Sequence, residues 1–200
     1  MFWGKGLVGF AALVLRFARG RKMKTVLGVL ILIVAVAVSN AQVAPTGGAG
    51  APGCGRSNEK FDVRTDKGQH PAAQLEPGKA LIYVIQDDTH FESHPRPTTR
   101  IGVDGNWIGA THSNSYLFSS VEPGERHLCA SWQGFVGIGV GLKVAALHFS
   151  AEAGKSYYFR VKDKWLSEHG QGDIEFEPLD SDEGQLLASK FSVATSRLKK

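Results

Sequence analysis

The chain has 200 residues, 42% of them hydrophobic and 21% charged, with 23 basic and 19 acidic residues for a net charge of +4. Six of the basic residues (Lys5, Arg16, Arg19, Arg21, Lys22 and Lys24) and none of the acidic ones lie in residues 1–41, which leaves 17 basic against 19 acidic residues, net −2, in residues 42–200. The basic balance thus belongs to the N-terminal segment and gives no support to nucleic-acid binding, which needs a basic surface on the folded domain.

Residues 1–41 read as a leader. Basic residues around Met23 precede an uninterrupted apolar run, VLGVLILIVAVAV at 26–38, and Ser39-Asn40-Ala41 closes it. This is the order of a secretory signal, with cleavage expected between Ala41 and Gln42. Thirteen residues at 1.5 Å each reach about 20 Å, short of the roughly 30 Å hydrocarbon layer, so removal is favoured over a permanent anchor. The alternative is an uncleaved N-terminal helix holding the chain at the inner membrane, its only expected link to lipid. The true start is expected at Met23. The expected location is therefore extracytoplasmic, periplasmic or secreted.

Residues 42–59 begin with QVAPTGGAGAPGCG, which offers nothing to bury and reads as a flexible linker. Two cysteines in an exported chain, Cys54 and Cys129, are expected to form a disulfide closing a loop of about 75 residues. Cys54 lacks the aliphatic residue of a lipoprotein signal, and neither cysteine has a second Cys or His at zinc-site spacing.

A folded domain is expected over residues 60–191, with 192–200 as a tail. KFDVRT at 60–65 alternates at period two. KALIYVIQ at 79–86 is continuously β-branched and aromatic, as a strand covered on both faces requires. Asp104-Gly105 and Pro123-Gly124 each separate apolar runs and predict two successive hairpins, and Glu152-Ala153-Gly154 a third. Residues 172–179, GDIEFEPL, alternate Ile174 and Phe176 with Asp173, Glu175 and Glu177. Asp180-Ser181-Asp182-Glu183 has capping-box spacing, and Leu187, Phe191, Ala194 and Leu198 extend an amphipathic helical pattern beyond it. About seven short strands with one C-terminal helix predict an all-β fold, an antiparallel β-sandwich of immunoglobulin or prealbumin type, preceded by the hydrophobic signal helix.

The candidate chemistry is thin. His90-x-Glu92-x-His94, with Asp87 and Asp88 nearby, sets imidazole and carboxylate donors together and is the one candidate metal set, although its spacing matches no metalloenzyme motif. A solvated loop accounts for it as well. His127 and Cys129 share a strand face, a nucleophilic pair only if the thiol is free. The glycine-rich GFVGIGVGL at 134–142 matches no phosphate-binding motif and runs into a strand; its Phe135, Val136 and Ile138 offer an apolar loop to a partner or ligand. Tyr157, Tyr158 and Phe159 read as packing. No cofactor motif and no nucleophile elbow occurs, which excludes the commonest hydrolase arrangement. The expectation is a non-catalytic binding or scaffolding module for an unidentified envelope partner or ligand, against a metal-binding protein or metal-dependent hydrolase built on His90, Glu92 and His94.

Gly78-Lys79-Ala80-Leu81-Ile82-Tyr83-Val84, Val103-Asp104-Gly105 with Gly109, Ser115-Tyr116, Pro123-Gly124 with His127, and Ala153-Gly154-Lys155-Ser156-Tyr157-Tyr158-Phe159 together resemble a bacterial family of unknown function, number 2846 among such families, found in exported proteins and lipoproteins. The resemblance runs from about Gly78 to Leu187. It implies a β-sandwich and no catalytic residues. The order Asp-Gly, x-Gly, Pro-Gly-x-x-His also looks like sandwich repeats of bacterial surface layers, whose role is interaction.

Overall fold

The structure is a computed structural model and describes residues 51–68, 70–71, 73–91, 95–134, 142–166 and 171–200, all within the compact unit Thr46–Lys200. The leader, including Ala41 and Gln42, lies outside the described residues. Ten strands form two sheets: β1 (Phe61–Asp66), β2 (Ala80–Asp87), β5 (Ser115–Val121), β8 (Ser156–Leu166), β9 (Gln171–Leu179) and β10 (Ser192–Leu198) in one, in the order β1-β10-β5-β2-β8-β9; β3 (Thr98–Val103), β4 (Asn106–His112), β6 (Gly124–Trp132) and β7 (Val144–Ala151) in the other, in the order β4-β3-β6-β7. One helix, α1 (Ser181–Lys190), joins β9 to β10.

The expected two-layer all-β class stands, while strand number and connectivity differ from the expectation. Among the described residues there are ten strands where about seven were expected, and the larger sheet is mixed, because β2 pairs parallel with β8 and β10 parallel with β5. Asp104-Gly105 makes the predicted hairpin between β3 and β4, both residues at positive φ as a tight primed turn requires. Pro123-Gly124 and Glu152-Ala153-Gly154 do not make hairpins. β5 pairs β2 while β6 pairs β3, and β7 pairs β6 while β8 pairs β2, so each of these turns carries the chain across from one sheet to the other. Turn chemistry encodes the reversal, not the sheet that receives the next strand.

β2 is central, as its composition requires. Ala80, Ile82 and Val84 enter the core between the sheets with Ile101, Leu128, Trp132, Phe159 and Val161, and Ile85 enters a second cluster with Tyr116, Tyr158 and Val193. α1 covers that second cluster. Asp180 caps it, its Oδ1 accepting the Glu183 amide at 2.8 Å, and Gly184 lies where a Cβ would meet the Tyr158 ring at 2.2 Å. The helix is shorter than its apolar spacing suggested: Phe191 turns extended and donates its amide to the Leu187 carbonyl, so Ala194 and Leu198 lie on β10. Ser192-Val193-Ala194-Thr195-Ser196 fits both patterns, and pairing of Val193 to Leu198 with β1 decides for the strand. The expected C-terminal tail is therefore a strand between β1 and β5.

Residues 53–59, assigned by composition to the linker, form a strap over the four-stranded sheet. Gly53 lies so close to β6 that a Cβ would meet the Leu128 carbonyl carbon at 2.6 Å. Cys54 is disulfide-bonded to Cys129, Cα to Cα 5.1 Å. Trp107 Nε1 donates to the Arg56 carbonyl at 2.8 Å. The Arg100 guanidinium stacks on Trp107, 4.6 Å from its centroid, and donates to the Ser57 and Glu59 carbonyls, each at 2.9 Å.

Candidate functional site

The sequence candidates separate once placed. Cys54 and Cys129 are joined as expected, so no free thiol stands beside His127 and the Cys–His pair is gone. His90 is exposed in the loop after β2, and Glu92 and His94 lie outside the described residues, as do Phe135, Val136 and Ile138. Among the described residues no three His, Cys, Asp or Glu side chains converge on a metal-sized point. Two of the three acids of β9 are paired: Lys164 Nζ lies 2.6 Å from Glu175 and Lys162 Nζ 2.8 Å from Glu177, which also takes the Arg160 guanidinium. Tyr158 stacks on Tyr83 at 4.8 Å and Tyr157 lies 5.1 Å from Phe149, as packing residues do.

What the candidates left out is a buried polar node where β2, β3, β6 and β8 converge. Gln86, Asp88, Thr99 and Asp163 are all fully buried. Gln86 Nε2 bridges the two acids, donating to Asp163 Oδ2 at 2.6 Å and to Asp88 Oδ1 at 2.9 Å. Asp163 accepts twice more, from Trp132 Nε1 at 2.7 Å and Thr99 Oγ1 at 3.1 Å. Burial, and then the neighbouring charge of Asp88, hold the Asp163 carboxyl well above the ordinary aspartate range, against the pull of the Trp132 and Thr99 donors. Burial likewise raises Asp88, while Asp163 and Gln86, by hydrogen bonding, and then Arg96 and His112, by charge, pull it down. Two such carboxyls side by side retain a proton that ordinary aspartates have lost at the same pH. Both Asp163 oxygens and Asp88 Oδ1 face N–H or O–H donors, while Asp88 Oδ2 is buried without a partner. The node is a proton-holding clamp on the end of the sandwich.

Parity along the strands contains this node. Gln86 and Asp88 continue the inward face of Ile82 and Val84, and Asp163 continues that of Phe159 and Val161. A carboxylate on an inward position is the informative exception among buried residues.

Above the node sits a recess of about 230 Å³ lined by Lys60, Arg96 and Lys199 with Thr98 and Gln133. Pro97 joins the two: it borders the recess while its carbonyl lies 3.3 Å from Gln86 Nε2 and 3.2 Å from His112 Nδ1. The walls are fixed by backbone contacts. Gln133 grips Phe61 at both its amide (2.5 Å) and its carbonyl (2.9 Å), and the Lys199 amide donates to the Lys60 carbonyl at 2.7 Å. Lys199 Nζ is shared with Asp62 at 3.0 Å, and no acidic side chain lines the recess among the described residues. Three cations from separate segments with hydroxyl and amide groups between them suit an anionic group of a few atoms.

Residues 76–172 match the family model described as Protein of unknown function (DUF2846). No curated protein and no solved structure matches the chain.

Proposed function

We propose that this chain, whose residues 76–172 match the DUF2846 family model, is an exported, non-catalytic binding module of the bacterial envelope that takes an anionic group in the recess of Lys60, Arg96 and Lys199. The observation that carries this reading is the disulfide-anchored strap. Cys54–Cys129 ties residues 53–59 across the sheet, and the strap ends at Lys60, one wall of the recess. A disulfide in this place suits an oxidising compartment. The staple thus supports both halves of the proposal, compartment and site.

Two expected results follow. Chain recovered from the envelope fraction of a producing cell has an intact mass beginning at Gln42, and the mass rises by two hydrogens on reduction. A mass that retains residues 23–41 would instead favour an anchor. Titration of the oxidised protein with inorganic phosphate, followed by amide chemical shifts at Thr98 and Gln133, gives saturable binding, and Arg96→Ala weakens it about ten-fold, the loss of one charge-assisted contact. Shifts that do not saturate, or that survive Lys60→Ala/Arg96→Ala, would remove the recess from the proposal. Stoichiometric zinc lost in His90→Ala would favour the metal-binding alternative.

A further inference from the structure

The outer face of the four-stranded sheet brings two histidines together. Alternation along β6 sends Leu128, Ala130 and Trp132 into the core and His127 to the outside, where it is exposed. His148 of β7 is its direct partner in the antiparallel register, also exposed, and the two ring centroids stand 6.3 Å apart.

The ladder explains the closeness. The Trp132 amide donates to the Lys143 carbonyl at 3.0 Å, and bonded and unbonded pairs alternate from there, so His127 and His148 exchange no backbone hydrogen bonds. The backbone of His127 agrees: its amide donates to Asp104 Oδ1 at 2.8 Å and its carbonyl accepts the Asp104 amide at 2.9 Å, both on the side away from β7. Pairs of this kind hold their Cα atoms about 4.5 Å apart, closer than the bonded kind, with the side chains next to each other on one face. The charges nearby suit a cation. The same outward row carries Glu125 opposite Ser150 and has no lysine or arginine in β6 or β7. Arg126, one residue away on the other parity, is matched by Asp104 at 2.7 Å.

We propose that His127 and His148 form a two-imidazole site for a divalent transition-metal ion, copper(II) before the others, separate from the anion recess and from the His90 loop. Imidazole nitrogen selects such ions over calcium and magnesium, which take oxygen, and copper(II) binds nitrogen donors most tightly in the first-row series. Two rings held side by side act as a chelate, because the second one binds within the molecule once the first has bound. Water completes the coordination. At metal–nitrogen bonds of about 2.0 to 2.1 Å the rings need to close by roughly 1 Å or a little more, and rotation about the side-chain bonds of two exposed residues supplies that.

Titration of the oxidised protein, purified without a histidine tag, with copper(II) alone in a weakly coordinating buffer tests the site. The expected result is one tightly bound ion per chain, a paramagnetic resonance spectrum with two equatorial nitrogens, and loss of amide signals around His127 and His148. His127→Gln and His148→Gln each weaken binding at least ten-fold, while His90→Ala/His94→Ala leaves the two-nitrogen spectrum in place. Both rings are exposed, so the variants keep the disulfide and the far-ultraviolet spectrum of the wild type. Binding that is absent up to millimolar copper, that survives either glutamine variant, or that disappears with His90→Ala/His94→Ala overturns the proposal.

Discussion

Replacing both cysteines, Cys54→Ala with Cys129→Ala, is expected to lower the unfolding free energy by about 4 kcal/mol, measured by urea denaturation against the oxidised wild type. Cross-linking residues 75 apart removes loop-closure entropy from the unfolded chain, and the chain-entropy relation gives that size for a loop of this length. The loss should not be confined to the unfolded state. The strap's remaining hydrogen bonds to the sheet are Trp107 Nε1 to the Arg56 carbonyl and Arg100 to the Ser57 and Glu59 carbonyls. Without the staple these and the packing of Gly53 on β6 must hold the strap, and single hydrogen bonds contribute only about 1 kcal/mol each. Amide exchange in residues 53–59 is therefore expected to accelerate more than exchange in β2, whose groups are bonded on both sides by β5 and β8. A variant that loses less than 1 kcal/mol and keeps the strap protected would mean that packing of Gly53 against β6, not the disulfide, fixes the strap.

Most of the strands were legible because their signals are local. The apolar run at 79–86, the Asp104-Gly105 turn and the Asp180 cap each follow from a few adjacent residues, and each stands where expected. What was not legible depends on partners far away in sequence. Whether Pro123-Gly124 folds back or crosses to the other sheet is decided by β2 and β3 competing for β5 and β6, not by the turn. Ser192–Leu198 satisfies a helical and an alternating pattern alike, and only pairing with Phe61–Asp66, more than a hundred residues earlier, selects the strand. The recess shares this character, because Lys60, Arg96 and Lys199 come from three distant segments with no common motif. The buried node is different. Strand parity alone places Gln86, Asp88 and Asp163 on inward faces, whereas the histidine spacing of the loop carries no information about it.

That node sets the second large effect. Asp163→Ala is expected to destabilise the protein by about 3 kcal/mol, since it strips the acceptor from Trp132 Nε1, Thr99 Oγ1 and Gln86 Nε2 inside the core, and a buried orphaned donor costs about 1 to 3 kcal/mol. The pH dependence carries the sharper test. Both carboxyls lie above their ordinary values in the folded protein, so between the unfolded value near 3.8 and the raised folded values the native state holds more protons than the unfolded chain. Stability contributed by the node is then fully present at the acid end of that window and is lost as pH rises through it, at up to about 1.4 kcal/mol per pH unit while one proton is retained. Glu177, lowered by Lys162 and Arg160 despite its own burial, works in the other direction, its contribution present above 4.5 and lost as pH falls. The comparison that isolates the node is Asp88→Asn. Asp88 Oδ2 has no partner, while Oδ1 accepts from Gln86, so an amide nitrogen in the Oδ2 position keeps the Gln86 bond and removes the charge facing Asp163. Urea midpoints across pH 5 to 8 should fall for the wild type and fall less steeply for Asp88→Asn. Parallel lines for the two proteins would mean that Asp88 neither contributes a slope of its own nor raises Asp163, and that the clamp at the end of the sandwich is held by its hydrogen bonds alone.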